Sequence, residues 1–210
     1  MAKPRIAVLI SSSGTTLQNF MDRIADGRLS ATIVQVVSSN PEVYGVERAR
    51  KAKLPLAIVT RKESGTRDEF SRRIFDFCRA AQAELVCMAG FLQIVTIPDD
   101  FASRVMNIHP ALIPAFCGKG FYGHHVHEAV LAYGAKVSGC TVHFADNEYD
   151  HGPIILQRTV PVLDDDTADL LAARIFVEEC EAYPEAIRLF GEGRLRVEGR
   201  RVRISNVLTS

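Results

Sequence analysis

Arg5-Ile6-Ala7-Val8-Leu9-Ile10-Ser11-Ser12-Ser13-Gly14-Thr15-Thr16 decides the reading of the fold. A short apolar, β-branched run ends in small polar residues and passes without a break into a helical pattern, Thr15 to Ala25, which is how a buried strand hands over to a covering helix. Small residues at that junction let backbone N–H groups approach an anion, hydroxyls add donors, and the helix N-terminus adds positive partial charge. Ser12, Ser13, Gly14, Thr15 and Thr16 are thus a candidate monophosphate cradle, and the same residues equally suit a Ser/Thr helix cap. The run is neither G-x-G-x-x-G nor a Walker A loop. The next strand, Thr32 to Val37, runs into Ser38-Ser39-Asn40 with no acidic residue, which argues against NAD or ATP.

Outward from this unit the rhythm repeats. A helix is predicted over Val46 to Ala52, a strand over Leu56 to Val59, a charged helix over Thr66 to Ala81 and a strand over Leu85 to Met88. The expected fold is α/β: a mostly parallel twisted sheet with helices on both faces and a Rossmann-like first half. Val105 to His109 should form a further strand. After a loop rich in Pro, Gly and His come a helix at His127 to Tyr133 and an antiparallel pair at Gly139 to Phe144 and Ile154 to Val162. A long helix follows at Thr167 to Phe190 with Asp166 as N-cap, then a hairpin within 194–204 around Gly199. No repeat, low-complexity tract or linker interrupts the chain, so one domain over 1–210 is expected.

Composition bounds the partners. The 210 residues, 47% of them hydrophobic, can bury a substantial core, and Lys plus Arg balance Asp plus Glu at 25 each. Without a long-range field, nucleic acid and anionic membrane are unexpected partners, and phosphate recognition has to be local. Cys78, Cys87, Cys117, Cys140 and Cys180 form no C-x-x-C pair and are odd in number, which fits reduced thiols in a cytoplasmic protein. Neither a basic-then-apolar leader at Met1-Ala2-Lys3-Pro4 nor an apolar run near 18 residues is present, so secretion and membrane spanning are unexpected.

The reactive groups gather in Asn107-Ile108-His109-Pro110 and Asp150-His151-Gly152-Pro153. Asn107 and His109, two apart on a strand, share a face. Together with a carboxylate they can stabilise an oxyanion, protonate a leaving nitrogen and deprotonate an attacking one, which acyl transfer to an amine requires. Taken singly, each has a plainer reading: a histidine is commonly structural, and Asp-x-Gly-Pro is commonly a turn. All six histidines fall between His109 and His151. His124-His125-Val126-His127 lacks the i, i+4 spacing or companion ligands of a zinc site, so a polar loop rimming a cleft is the better account and no metal is expected.

These segments also carry a resemblance. Ala7-Val8-Leu9-Ile10-Ser11 with Gly14, Leu17 and Gln18, Glu47-Arg48-Ala49, Ala89-Gly90-Phe91-Leu92, Asn107 to Pro114, Gly139 to Phe144, Asp150 to Ile155 and Glu179 with Tyr183-Pro184 resemble, in order and over nearly the whole chain, the phosphoribosylglycinamide formyltransferases of the folate-dependent formyltransferase superfamily. The resemblance implies transfer of the formyl group of 10-formyltetrahydrofolate, a co-substrate, to the amine of 5-phosphoribosylglycinamide in purine synthesis. It implies His109 as proton donor, Asn107 at the oxyanion, and Asp150 supporting the imidazole and relaying the amine proton. Gly14, Thr15 and Thr16 match the phosphate loop, and Glu179 the substrate-holding carboxylate. Arg67 and Leu92-Gln93-Ile94-Val95 fall where the family binds folate, as does Asn107, with Asp146 to Asp150 closing on the pterin. Residues to about 100 would form a phosphate-binding half and those from about 101 a catalytic and folate-binding half, acting on small molecules as a monomer or homodimer.

Two departures stand out. The family's loop reads Ser-Gly-x-Gly-Ser-Asn, whereas Ser12 replaces the first glycine and Thr15-Thr16 replace Ser-Asn, placing a side chain where the backbone torsion can demand glycine. Cys117 to His124 is also longer than expected after Pro114. Alternative readings are formyltetrahydrofolate deformylase, disfavoured by a first strand starting at Arg5; a formyltransferase acting on another amine, such as an amino sugar, or the methionyl-tRNA enzyme, usually with extra C-terminal domains; and a non-catalytic phosphate-binding module, which would not need Asn107, His109 and Asp150 together.

Overall fold

A computed structural model describes residues 3–205; the ends of the expected 1–210 span, including Met1 and Ala2 of the leader reading, lie outside it. The elements are β1 (Arg5–Ile10), α1 (Thr15–Ala25), β2 (Thr32–Ser38), α2 (Tyr44–Lys51), β3 (Leu56–Ile58), α3 (Arg61–Ser64), α4 (Arg67–Ala80), β4 (Leu85–Met88), β5 (Val105–His109), α5 (His124–Tyr133), β6 (Val137–Phe144), β7 (Ile154–Pro161), α6 (Ala168–Gly191), β8 (Leu195–Glu198) and β9 (Arg201–Ile204), with a 3-10 turn at Asp99–Phe101.

The strands form one sheet in the order β3-β2-β1-β4-β5-β6-β7-β9-β8. From β3 to β5 neighbours run parallel, whereas β5 with β6, β6 with β7, and β8 with β9 run antiparallel. Strand alternation divides the core between two faces: Ile6, Val8 and Ile10 pack with Leu17, Phe20, Ala49 and Ile187, while Ala7 and Leu9 pack with Phe70, Ile74 and Cys78 of α4. Strand order reverses between β1 and β4, and a crevice opens beyond the carboxyl ends of strands at such a switch point.

Several sequence expectations shift. The long helix is capped by Thr167, whose hydroxyl accepts from the Leu170 N–H. Asp166 instead accepts from Leu163 N–H and pairs with Arg174. The helix α5 starts at His124 rather than His127, and α2 at Tyr44 rather than Val46. The short α3, capped by the Thr60 hydroxyl, was not read from the pattern.

Two features lock α6 to the sheet. Pro184 has no N–H for the Cys180 carbonyl one turn back, and Asn19 Nδ2 of α1 donates to that carbonyl at 3.0 Å. The fully buried Tyr183 points its hydroxyl at the Met106 and Met88 carbonyls, at 2.8 and 3.1 Å, and stacks edge-on against Phe20. Tyr183→Phe should therefore cost about 1–3 kcal/mol, because two buried acceptors lose their shared donor. Denaturant unfolding at unchanged m-value measures this, and a loss under about 0.5 kcal/mol would mean that water replaces the hydroxyl.

Candidate active site

A cleft of about 930 Å³ opens at the carboxyl ends of β1, β4 and β5, a volume suited to a large small-molecule ligand. Ser12, Thr15, Thr16, Leu92, Gln93, Ile94, Val95, Asn107, His109, Asp150 and Glu179 all line it.

At its centre β5 delivers Asn107 and His109 on one face, and the loop before β7 brings Asp150 over them. Asp150 Oδ1 accepts from Asn107 Nδ2 at 3.3 Å, and Oδ2 accepts from the Gly118 N–H at 2.9 Å and lies 3.5 Å from His109 Nδ1. His109 is 3% exposed, and its Nε2 donates to the Phe116 carbonyl at 2.8 Å. Both ring nitrogens thus face oxygens, with the Phe116 carbonyl at hydrogen-bond distance and the Asp150 carboxylate 3.5 Å away. Beneath it the buried Thr141 hydroxyl donates to the Ala111 carbonyl and accepts from the Ile113 N–H, fixing the Pro110 turn.

His143 is a member of this network that sequence reasoning left without a role. The β5–β6 register sets it opposite Asn107. Its Nδ1 donates to the Phe144 carbonyl at 3.0 Å, so in the neutral ring Nε2 accepts from Asn107 Nδ2 at 3.2 Å. Burial pushes its pKa down and favours that neutral form. A flipped Asn107 would set its carbonyl against both the His143 lone pair and the Asp150 carboxylate, so the network selects the amide orientation.

At the β1–α1 junction Gly14 occupies the N-cap position with φ of +70°, and no side chain caps the helix. The Ser/Thr-cap arrangement is not formed. Among the described residues, the N–H groups of Ser12, Ser13, Gly14, Thr15 and Thr16 donate to nothing, leaving a free nest at a helix N-terminus. A Cβ on Gly14 would sit 2.7 Å from the Gly45 Cα, so the glycine serves both the left-handed turn and the close approach of α2. Ser12 is absent from the positive-φ residues, so its replacement of glycine carries no such torsional strain. Ser13 and Gly14 stand behind the cleft wall, where Arg48 Nε donates to the Ser13 carbonyl at 3.0 Å.

The opposite wall is Leu92 to Val95, apolar except for Gln93. Arg67 does not line the cleft; its guanidinium donates to the Val95 and Asn147 carbonyls at 2.9 and 3.3 Å, tying that wall to the 146–150 loop. Asn147 Oδ1 adds a bond from the Ile97 N–H at 2.7 Å. Across the cleft, α6 presents Ala172, Ala173, Phe176 and Glu179. The histidine-rich stretch belongs to the rim, where His124 pairs with Asp169 and His125 with Glu128. Among the described residues no group of three or more His, Cys, Asp or Glu could hold a metal ion, and all five cysteines are free.

The formyl transferase family profile matches residues 4–187. The chain belongs to the formyl transferase family. It is 36% identical to phosphoribosylglycinamide formyltransferase of Haemophilus influenzae over 92% of the chain and 90% of that protein. The crystal structure of glycinamide ribonucleotide transformylase 1 from Symbiobacterium toebii superimposes with a TM-score of 0.91 at 44% identity, covering 97% of this chain and 95% of that one. The trifunctional purine biosynthetic protein adenosine-3 of Drosophila melanogaster is 37% identical over 91% of the chain, which spans 14% of its length. In this chain Asn107, His109 and Asp150 line the same cleft as Ser12, Thr15 and Thr16.

Glu179 carries a testable consequence. It has no hydrogen-bond partner among the described residues, and desolvation raises its carboxyl from 4.5 to about 7. Between those values the unfolded chain is ionised while the folded protein keeps the proton. The stabilising protonation is therefore complete below about 4.5 and lost as pH rises through about 7. Glu179→Gln should remove that loss, so its melting temperature relative to wild type should be higher at pH 8 than at pH 5 in the free enzyme. A difference independent of pH would place the carboxylate in ordinary solvent.

Proposed function

We propose that the protein transfers the formyl group of 10-formyltetrahydrofolate to the amine of 5-phosphoribosylglycinamide, as its relatives' names state for them. The observation that carries this reading is the convergence of an amide, an imidazole and a carboxylate in a cleft that also holds a free anion nest.

The acceptor's phosphate takes the amides of Ser12 to Thr16, helped by the helix N-terminus, and Glu179 holds the acceptor along the α6 wall. The pterin lies in the slot between Leu92-Gln93-Ile94-Val95 and the 146–150 loop, with Arg67 bracing both. The acceptor amine attacks the formyl carbon, forming a C–N bond and an oxyanion. Asn107 Nδ2, whose present bonds are long at 3.2 and 3.3 Å, can turn a proton toward that oxyanion. His109 donates to the reacting centre once Phe116 yields its bond. Asp150 takes the amine proton and relays it to the folate nitrogen as the oxyanion re-forms the carbonyl and the original C–N bond breaks. Hydrogen bonds and proton transfer suffice, so no metal is assigned.

We read the chain as one cytoplasmic domain, a monomer or homodimer, with its phosphate-binding half before about residue 100 and its catalytic and folate-binding half after it. Among the described residues no helix is long and apolar enough to cross a membrane.

A formyl-transfer assay with 5-phosphoribosylglycinamide, its dephosphorylated form, an amino sugar and water as acceptors tests the reading. Removing the phosphate should raise acceptor KM by at least tenfold, since charge-assisted bonds contribute about 1.5–3 kcal/mol each before solvent losses, while folate KM stays put. Equal use of both acceptors would make the loop only a helix start, and preferential transfer to water would indicate a deformylase. Asp150→Asn should keep the fold and cut turnover by roughly 10² to 10⁴, the usual loss for a positioned acid–base partner. Near-normal turnover would remove Asp150 from the chemistry.

A further inference from the structure

Of the six histidines, His127 alone has neither a hydrogen-bond nor an ion-pair partner among the described residues. It is 5% exposed, its Nδ1 is sealed from solvent, and the residue lines the cleft. With Nδ1 closed off, Nε2, which is not sealed and bonds no protein atom among the described residues, is the nitrogen that a ligand in the cleft can meet. His127 stands on α5, which packs against α6, with the His124 ring edge-on at 6.2 Å. Desolvation, then the neighbouring charges of His124 and His109, lower its pKa to about 4, so the ring is neutral in the working range. Glu179 faces the same space from α6, also without a protein partner among the described residues.

An acceptor reaching from the Ser12 to Thr16 amides to Asn107, His109 and Asp150 lays the part between its phosphate and its amine along this wall. That part is a sugar. With Nδ1 sealed, the neutral imidazole meets a hydroxyl through Nε2, a group that can donate or accept in return, whereas a phosphate dianion would call for an imidazolium that this site disfavours. The flat apolar wall at Leu92 to Val95 suits the pterin instead. We infer that His127 is a binding and specificity residue for the sugar of the phosphorylated acceptor, meeting a ring hydroxyl from the α5 wall while Glu179 holds the sugar from α6. This rests on the acceptor assignment proposed above.

The test compares acceptor KM for 5-phosphoribosylglycinamide and for analogues in which the 2- or 3-hydroxyl is replaced by hydrogen, using wild type, His127→Phe and His127→Asn. His127→Phe should raise KM for the full acceptor on the order of tenfold, the value of one hydrogen bond, with folate KM and turnover little changed. Wild type should lose a similar factor when one of the two hydroxyls is removed, and His127→Phe should be indifferent to that hydroxyl. His127→Asn, which keeps a donor and an acceptor, should recover part of the preference. The ratio of two acceptors on one preparation does not depend on the fraction folded. Equal penalties for the full and both deoxy acceptors, or an unchanged acceptor KM, would overturn the inference while leaving active wild type as support for the proposed function. Wild type inactive toward the full acceptor would overturn both.

Discussion

The carboxylate of Asp150 is the group around which the site is assembled. Its side chain is 11% exposed, and a carboxylate so withdrawn from water persists as an ion only when donors replace the solvent. The donors come from separate parts of the chain, the Gly118 N–H from the loop after β5 and Asn107 from β5 itself, and the His109 ring stands 3.5 Å away. Satisfying one carboxylate therefore closes the loop over the strand and sets the distances among Asn107, His109 and Asp150. The backbone is shaped to allow it. Asp150 takes φ of +50°, a region that Asp tolerates better than most residues, and a Cβ on Gly152 would fall 1.8 Å from the Phe144 carbonyl oxygen. Asp-His-Gly-Pro is thus a tight turn that also carries the Asp150 carboxylate into the cleft.

The β1–α1 junction follows the opposite logic. There the fold withholds partners: five consecutive N–H groups stay unengaged at a helix start, held outward by contacts that consume other groups. Arg48 takes the Ser13 carbonyl, the Gly45 N–H takes the Ser12 carbonyl, and Ser11 spends its hydroxyl on Ser39 and on the Leu92 N–H. Gly90, at φ of +68° with Ser12 Oγ only 2.8 Å from its missing Cβ, brings the β4 loop against the β1 loop. Glycines at the crossing points of this switch region let two loops and a helix start share a space that side chains would fill.

How much of this was legible in the sequence depended on range. The parallel half was open to reading because β1, β2 and β4 are buried on both faces and announce themselves as short apolar runs. Asn107 and His109 could be paired because period two is local. His143 could not be assigned, since its place opposite Asn107 is a matter of β5–β6 register, and no pattern within either strand fixes it. Gly118 and Phe116 act through backbone atoms, which carry no residue signature. The Asp166 to Thr167 shift at the α6 cap is a contest between two good caps, settled by Arg174, which draws the aspartate away. Arg67, expected where the family binds folate, bonds the Val95 and Asn147 carbonyls through Nη2, while its Nε has no partner among the described residues.

The same accounting separates what holds the catalytic loop from what merely touches it. Arg200, in the terminal hairpin, donates to the His151 ring at 2.9 Å and to its carbonyl at 2.7 Å, and His151 Nδ1 donates to Asp146 at 2.7 Å. By distance these are better bonds than any that Asp150 makes with Asn107 or His109. They lie in solvent, however, where such pairs contribute about 0–1 kcal/mol and are screened by salt. The longer contacts of Asp150 lie out of water, where stranding a charge costs about 3–5 kcal/mol when its partner is removed. Burial outweighs length in this comparison. The loop is therefore held from beneath, by the buried contacts of Asp150, and the hairpin only steadies its outer edge.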